Sequence, residues 1–282
     1  MDFQVRGEGC FAATGGQAFS TEKPAVFLVH GAGMDHSVWV FQTRYLAHHG
    51  WSVAALDLPG HGRSQGAPLT SIDAIADWLI EAMDALGVTK AALVGHSMGA
   101  IAALSAAARH PARVSAIACC GVAAKMPVHP DLLAAAEANS QGAIDMINAW
   151  AHGSAAHLGG HPASGLWLIG GGDRLLARAR PGVLHADLAA CNAYEDGLAH
   201  AAALACPALF LLAARDRMTP AKAGRALAAA APQAEVDVIA DCGHMMMTER
   251  PEESLQALAR FLAANAGSQD KELSDAAGAG RA

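Results

Sequence analysis

Charged side chains are scarce in this chain. Asp, Glu, Lys and Arg together make up 16% of its 282 residues, and no stretch is rich in Lys or Arg. The 19 basic against 26 acidic side chains leave a net charge of −7. Nucleic acids and anionic membranes are therefore not expected as partners, because both are held by concentrated basic surface. The first residues, Met1-Asp-Phe-Gln-Val-Arg-Gly-Glu8, lack a basic segment followed by an apolar one, so no secretory signal is expected. Six cysteines (Cys10, Cys119, Cys120, Cys191, Cys206 and Cys242) form no CxxC pair and no regular framework. In a chain this long that pattern points to reduced, mostly buried thiols, and hence to the cytoplasm. Cys119 and Cys120 lie in an apolar run and are expected to pack in the core. Residues 91–108 are apolar enough to suggest a membrane span, but Gly95, His96, Ser97 and Gly99 interrupt them. A buried strand–turn–helix accounts for them better.

Hydrophobic residues, by contrast, reach 53%, enough for a large core in a globular chain. Apolar, strand-like runs at Ala25–Val29, Trp51–Leu56, Lys90–Val94 and Val114–Cys119 alternate with helical stretches near Ser37–His49, Ile72–Leu86 and Ala100–Arg109. Ile72, Ile75, Ala76, Leu79, Ile80 and Met83 recur at a helical period. Such alternation implies crossover units and an α/β fold whose mostly parallel sheet is covered on both faces. It breaks between residues 123 and 204, a stretch rich in Ala, His and Gly with no clear strand before Gly165-Leu-Trp-Leu-Ile-Gly170. We expect an inserted, mainly helical cap there. The pattern returns with Cys206–Ala213, Ala221–Ala231, Glu235–Ile239 and Glu252–Ala264, with Pro251 suited to the first turn of the last helix. The expected organisation is thus a core of residues 1–122 and 205–266, a cap at 123–204 and a disordered tail at 267–282.

Gly95-His-Ser-Met-Gly99 stands at a junction of strand and helix. A serine between two glycines at that point matches the nucleophile elbow, a sharp turn that lifts the hydroxyl clear of the backbone. A serine hydroxyl needs a base, usually a histidine held in the right tautomer by a buried carboxylate. With an elbow the chain order is Ser, acid, His. Asp216 follows the strand ending at Ala213, and His244 follows the next strand; both stand at strand carboxyl ends, where parallel sheets gather their sites. Ser97, Asp216 and His244 are therefore the expected catalytic residues. The N–H of Met98, at the helix start, is an expected oxyanion donor.

Five motifs in order carry a resemblance: His30-Gly-Ala-Gly33, Asp57-Leu-Pro-Gly-His-Gly-Arg-Ser64, Gly95-His-Ser-Met-Gly99, Arg215-Asp-Arg-Met-Thr-Pro220 and Gly243-His244. The chain resembles the α/β-hydrolase superfamily, in the cap-bearing branch of small esterases, lactonases and carbon–carbon hydrolases. One glycine usual three residues before the acid is replaced by Ala213. The resemblance implies the fold, a second oxyanion donor at the N–H of Ala32, and a cofactor-free serine hydrolase acting on a small or medium carboxylic ester. A lactone or thioester would use the same groups.

His30, Met146, Trp150 and Met245 are expected at the substrate pocket, with Met246 and Met247 as further walls, and His30 is also expected to support the oxyanion loop. His61 is expected to be structural. His152, His157 and His161 lack the neighbouring Cys or carboxylate ligands of a metal site and are expected as solvated or substrate-facing cap residues; Asp173 is expected in a cap turn. Two alternatives keep the fold. One is carbon–carbon cleavage of a dienoate, with Arg174, Arg178 and Arg180 as candidate cations for its carboxylates. The other is a non-catalytic ligand sensor.

Overall fold

A computed structural model describes residues 1–161 and 165–266. Its centre is an eight-stranded sheet of β1 (Asp2–Val5), β2 (Glu8–Ala13), β3 (Ala25–Val29), β4 (Ser52–Asp57), β5 (Ala91–His96), β6 (Val114–Cys120), β7 (Ala208–Ala213) and β8 (Ala234–Ile239), in the order β1-β2-β4-β3-β5-β6-β7-β8. β3 to β8 are parallel, whereas β1 and β2 form an antiparallel edge against β4. This is the mostly parallel α/β sheet expected, plus a hairpin the sequence reading lacked. The hairpin turns on two residues, Arg6 and Gly7, with φ of 53° and 80°. Two-residue hairpins favour such a turn, but with Asn or Asp in the first position, so Arg6 conceals the signal.

The parallel strands are near-continuous apolar runs because both faces are covered. Successive side chains alternate between those faces. Phe27, Leu93, Ile117, Cys119 and Phe210 enter one core; Leu28, Val94, Ala118, Cys120 and Leu209 enter the other. Adjacent Cys119 and Cys120 therefore face opposite sides of the sheet, and all six cysteines are free and buried. Burial pushes the Cys120 thiol up to about 12 and the Cys206 thiol to about 11, which leaves both unreactive. Each fully buried Leu, Ile or Phe contributes about 1.5–3 kcal/mol, and a one-residue register slip would exchange the side chains of the two faces and disrupt the packing of both.

α1 (Val40–His48) packs on the second core, and α2 (Ile72–Ala85) and α3 (Met98–Arg109) on the first. Ser71 caps α2, its hydroxyl accepting from the Ala74 N–H. Between β6 and β7 the described residues form only helices: α4 (Pro130–Glu137), α5 (Gln141–Ala151), α6 (Ser154–His157), α7 (Leu168–Ala177), α8 (Val183–Ala193) and α9 (Gly197–Ala202). The run Gly165–Gly170 is no strand; from Leu168 it belongs to α7, which buries Leu176 against the second core. After β7 come α10 (Ala221–Ala228), α11 (Met246–Glu249) and α12 (Pro251–Ala266). The tail expected at 267–282 lies outside the described residues. Among those described, no helix is long and apolar enough to cross a membrane.

Candidate active site

Ser97 joins β5 to α3 with φ 53° and ψ −116°. A non-glycine residue in such a region costs about 1–3 kcal/mol and persists only where its surroundings hold it. Here they do. The Ser97 N–H donates to the Cys120 carbonyl at 2.9 Å, tying the turn to β6. A side chain on Gly95 would run into the Gly99 carbonyl, and one on Gly99 into the Val29 and His30 carbonyls. The two glycines thus let the helix approach its own strand and β3 closely.

Asp216 follows β7 and His244 follows β8, and both side chains are buried. The carboxylate accepts four hydrogen bonds. Oδ1 takes the N–H groups of Met218 and Thr219, each at 2.8 Å; Oδ2 takes the Thr219 hydroxyl and Nδ1 of His244, also at 2.8 Å. Burial alone would raise the Asp216 pKa, but His244 and the Thr219 bonds outweigh it and hold the carboxyl below its ordinary value. With Nδ1 committed to Asp216, the lone pair of a neutral ring lies on Nε2, which is buried and makes no hydrogen bond. Ser97 and His244 line the same cavity. No hydroxyl–imidazole bond spans them; catalytic hydrogen bonds often tighten only as substrate binds.

Ala32 lines the same cavity. Met98 opens α3, where the first amides have no intrahelical acceptor. Neither N–H donates a hydrogen bond among the described residues. His30 is fully buried behind the loop and is not a cavity wall, contrary to expectation. Its Nδ1 donates to the Gly31 carbonyl at 2.8 Å and its Nε2 accepts from the Leu58 N–H at 3.2 Å. Burial, aided by neighbouring His61, pushes its pKa down to about 4. It is a neutral brace for the loop.

The cavity encloses about 310 Å³ and has mostly apolar walls. Met126, Val128, Leu132, Ile147, Trp150 and Leu188 come from the segment between β6 and β7, Met34 and Met218 from the loops after β3 and β7. Trp150 is thus where it was expected. Met146 is not: α5 turns Ile147 and Trp150 to the cavity, leaving Met146 to pack beside it on the second core. Met245, Met246 and Met247 also differ from expectation, being buried in that core instead of lining the cavity. Arg174, Arg178 and Arg180 do not reach it; Arg180 instead donates to the Ser64 and Gly66 carbonyls. The cation that does line the cavity is Arg217, which makes no ion pair among the described residues.

Of the three cap histidines, His152 and His161 are held by backbone carbonyls, and the exposed His157 lies edge-on to the His152 ring. His152 is buried, not solvated; its Nδ1 meets the Asn148 carbonyl, and burial pushes it down to about 4. His161 Nε2 donates to the Thr248 carbonyl. Asp173 lies within α7, not a turn, and accepts from Gln141.

Several supporting residues escaped the sequence reading. Thr219 fixes Asp216, a role hinted at only by the ordinary turn signal Asp-x-x-Thr. His96, inside the elbow, donates from Nε2 to the His244 carbonyl at 3.0 Å. Burial and the adjacent His244 lower its pKa well below that of a free imidazole. Buried Glu249 accepts from the N–H groups of Gly153 and Gly243, tying the His244 loop to the end of α5; burial raises its pKa.

A sequence profile described as the alpha/beta hydrolase family matches residues 26–257. The chain belongs to that family. It is similar to a pimeloyl-[acyl-carrier protein] methyl ester esterase of Chromobacterium violaceum, 31% identical over 85% of this chain and 94% of that one. It is also similar to an (E)-2-((N-methylformamido)methylene)succinate hydrolase of Acinetobacter baylyi, 27% identical over 86% and 91%. Among solved structures, the enol-lactonase of Burkholderia xenovorans superposes with a TM-score of 0.84 at 22% identity, over 93% of this chain and all (100%) of that one. That likeness speaks for the fold alone.

Proposed function

We propose that this protein is a serine hydrolase that cleaves a small or medium carboxylic ester, or a lactone or thioester handled by the same groups, through an acyl-enzyme. The observation that carries the reading is the His244 ring: Nδ1 is bound to Asp216 at 2.8 Å, Nε2 makes no hydrogen bond, and the residue lines the same cavity as Ser97. Nε2 takes the Ser97 proton as Oγ bonds to the carbonyl carbon. The amides of Ala32 and Met98 hold the oxyanion. The bond to the alcohol breaks as the imidazolium protonates the leaving oxygen. Water then attacks the acyl carbon, passes its proton to Nε2, and Oγ departs with that proton. The chemistry calls for no cofactor and for no partner beyond the ester.

The size of the cavity, at the lower end of ligand pockets (about 300–1,000 Å³), supports a small or medium substrate. Similarity at 31% identity to a methyl ester esterase favours an ester. Free, buried cysteines suit a reducing cytoplasm. A sensor would have no use for an imidazole with an unbonded Nε2 that lines one cavity with a strained serine. Carbon–carbon cleavage of a dienoate is favoured by one observation, Arg217 at the cavity wall, which could hold a carboxylate.

The test is a panel of p-nitrophenyl esters, lactones, acyl-thioesters and a dienoate ring-fission product, with wild type and Ser97→Ala. The expected result is ester hydrolysis that falls roughly 10⁴-fold or more in the variant. Retained activity in Ser97→Ala would remove the serine from the mechanism, and turnover of the dienoate alone would select the second reading.

A further inference from the structure

Asp187 is a buried carboxylate on α8 that the mechanism above does not use. Its Oδ2 accepts two hydrogen bonds at 2.8 Å each, one from the Gly33 N–H and one from Nε2 of His61. Gly33 is the residue after Ala32. Its φ of +69° suits glycine, and a side chain there would meet Leu184 of α8 and Leu176 of α7. The loop that carries the Ala32 amide therefore rests directly on the helical insertion.

The partners of His61 favour its protonated form. Nδ1 faces the Pro59 carbonyl at 3.0 Å, and Nε2 faces the Asp187 carboxyl group at 2.8 Å. The Pro59 carbonyl can only accept, so Nδ1 donates, and Nε2 donates as well when Asp187 is ionised. Protonated, His61 forms with Asp187 an ion pair in which both side chains are almost fully buried (2% and 1% exposed). Burial opposes this charge, but the Asp187 carboxylate and the bond to Pro59 raise the pKa above that of a free imidazole.

We infer that Asp187 is a positioning residue: from α8 it holds the oxyanion loop through the Gly33 amide, with His61 as its counter-ion, so that the Ala32 donor is in register only when α8 is seated on the loop. A buried carboxylate needs its charge balanced, and His61 supplies this from the core side of the interface. A displacement of α8 breaks the bond to Gly33 and frees the loop at the point where the reaction needs a fixed donor. The inference rests on the serine-hydrolase reading, since a positioned amide matters only if an oxyanion forms.

The test compares wild type, Asp187→Ala and Asp187→Asn for kcat, KM, thermal midpoint and the rate of fluorophosphonate labelling at Ser97. The asparagine oxygen can still accept from Gly33, so it should partly rescue. We expect kcat and the labelling rate to fall at least tenfold in Asp187→Ala and less in Asp187→Asn, with KM within twofold. A lowered midpoint with kcat and labelling unchanged would make Asp187 merely structural and overturn the inference. Should both variants fail to fold, hydrogen exchange of the wild type decides. With a phosphonate bound at Ser97, protection of peptides spanning 30–36 and 183–193 should rise together, and a rise in the first alone would overturn the coupling. A wild type that is not labelled at Ser97 would instead sink the serine-hydrolase reading itself.

Discussion

Asp216 accepts four hydrogen bonds in a buried site, and that arrangement sets both its charge and its use. Replacing it with Asn removes the charge beside Nδ1 and allows the wrong tautomer of His244; we expect kcat to fall roughly 10⁴-fold with the fold retained. The same contacts link Asp216 to pH. Its folded-state pKa lies below the unfolded value of about 3.9, so its stabilisation is fully present above that value and is lost as pH falls through the folded-state pKa. Urea unfolding at a series of pH values should therefore find the stability gap between wild type and Asp216→Asn widest above pH ~4 and shrinking below it. A gap that widens on acidification would contradict the assignment. Ser97, Asp216 and His244 were legible in the sequence because each sits in a short local motif at a strand end. Met146 and Met245 lie off the cavity wall, and His30 only braces the loop behind it, because which side of a loop or helix faces a cavity depends on packing, and one residue along a helix turns a side chain by about 100°.

At the level of the element, the elbow works because two backbones nearly touch. Gly99→Ala would force α3 away from the Val29 and His30 carbonyls of the β3 end; the expected cost is at least about 1–3 kcal/mol, measurable as a lower urea midpoint. Unchanged stability would mean that the close approach is not needed. The alternation of strands and helices was readable because parallel strands buried on both faces are apolar throughout. The β1–β2 hairpin was not, since its strands are short and partly exposed and Arg6 stands at a turn position that seldom holds it. Glu249 and Asp187 were equally invisible: each bonds to backbone amides that are 96 and 154 residues away, and no spacing rule connects such positions.

For the molecule as a whole, the cavity is made by segments that meet only in three dimensions: the β3 loop, the elbow, the β7 and β8 ends, and the helices between β6 and β7. The sheet brings serine, carboxylate and imidazole to one edge, and the segment between β6 and β7 supplies most of the apolar wall. The central claim is that His244 activates Ser97 inside this cavity. Fluorophosphonate labelling followed by peptide mass spectrometry tests it most directly. We predict a single adduct on Ser97 in the wild type and a labelling rate reduced roughly a thousandfold or more in His244→Ala. An adduct on another residue, or equal rates in the two proteins, would contradict the account.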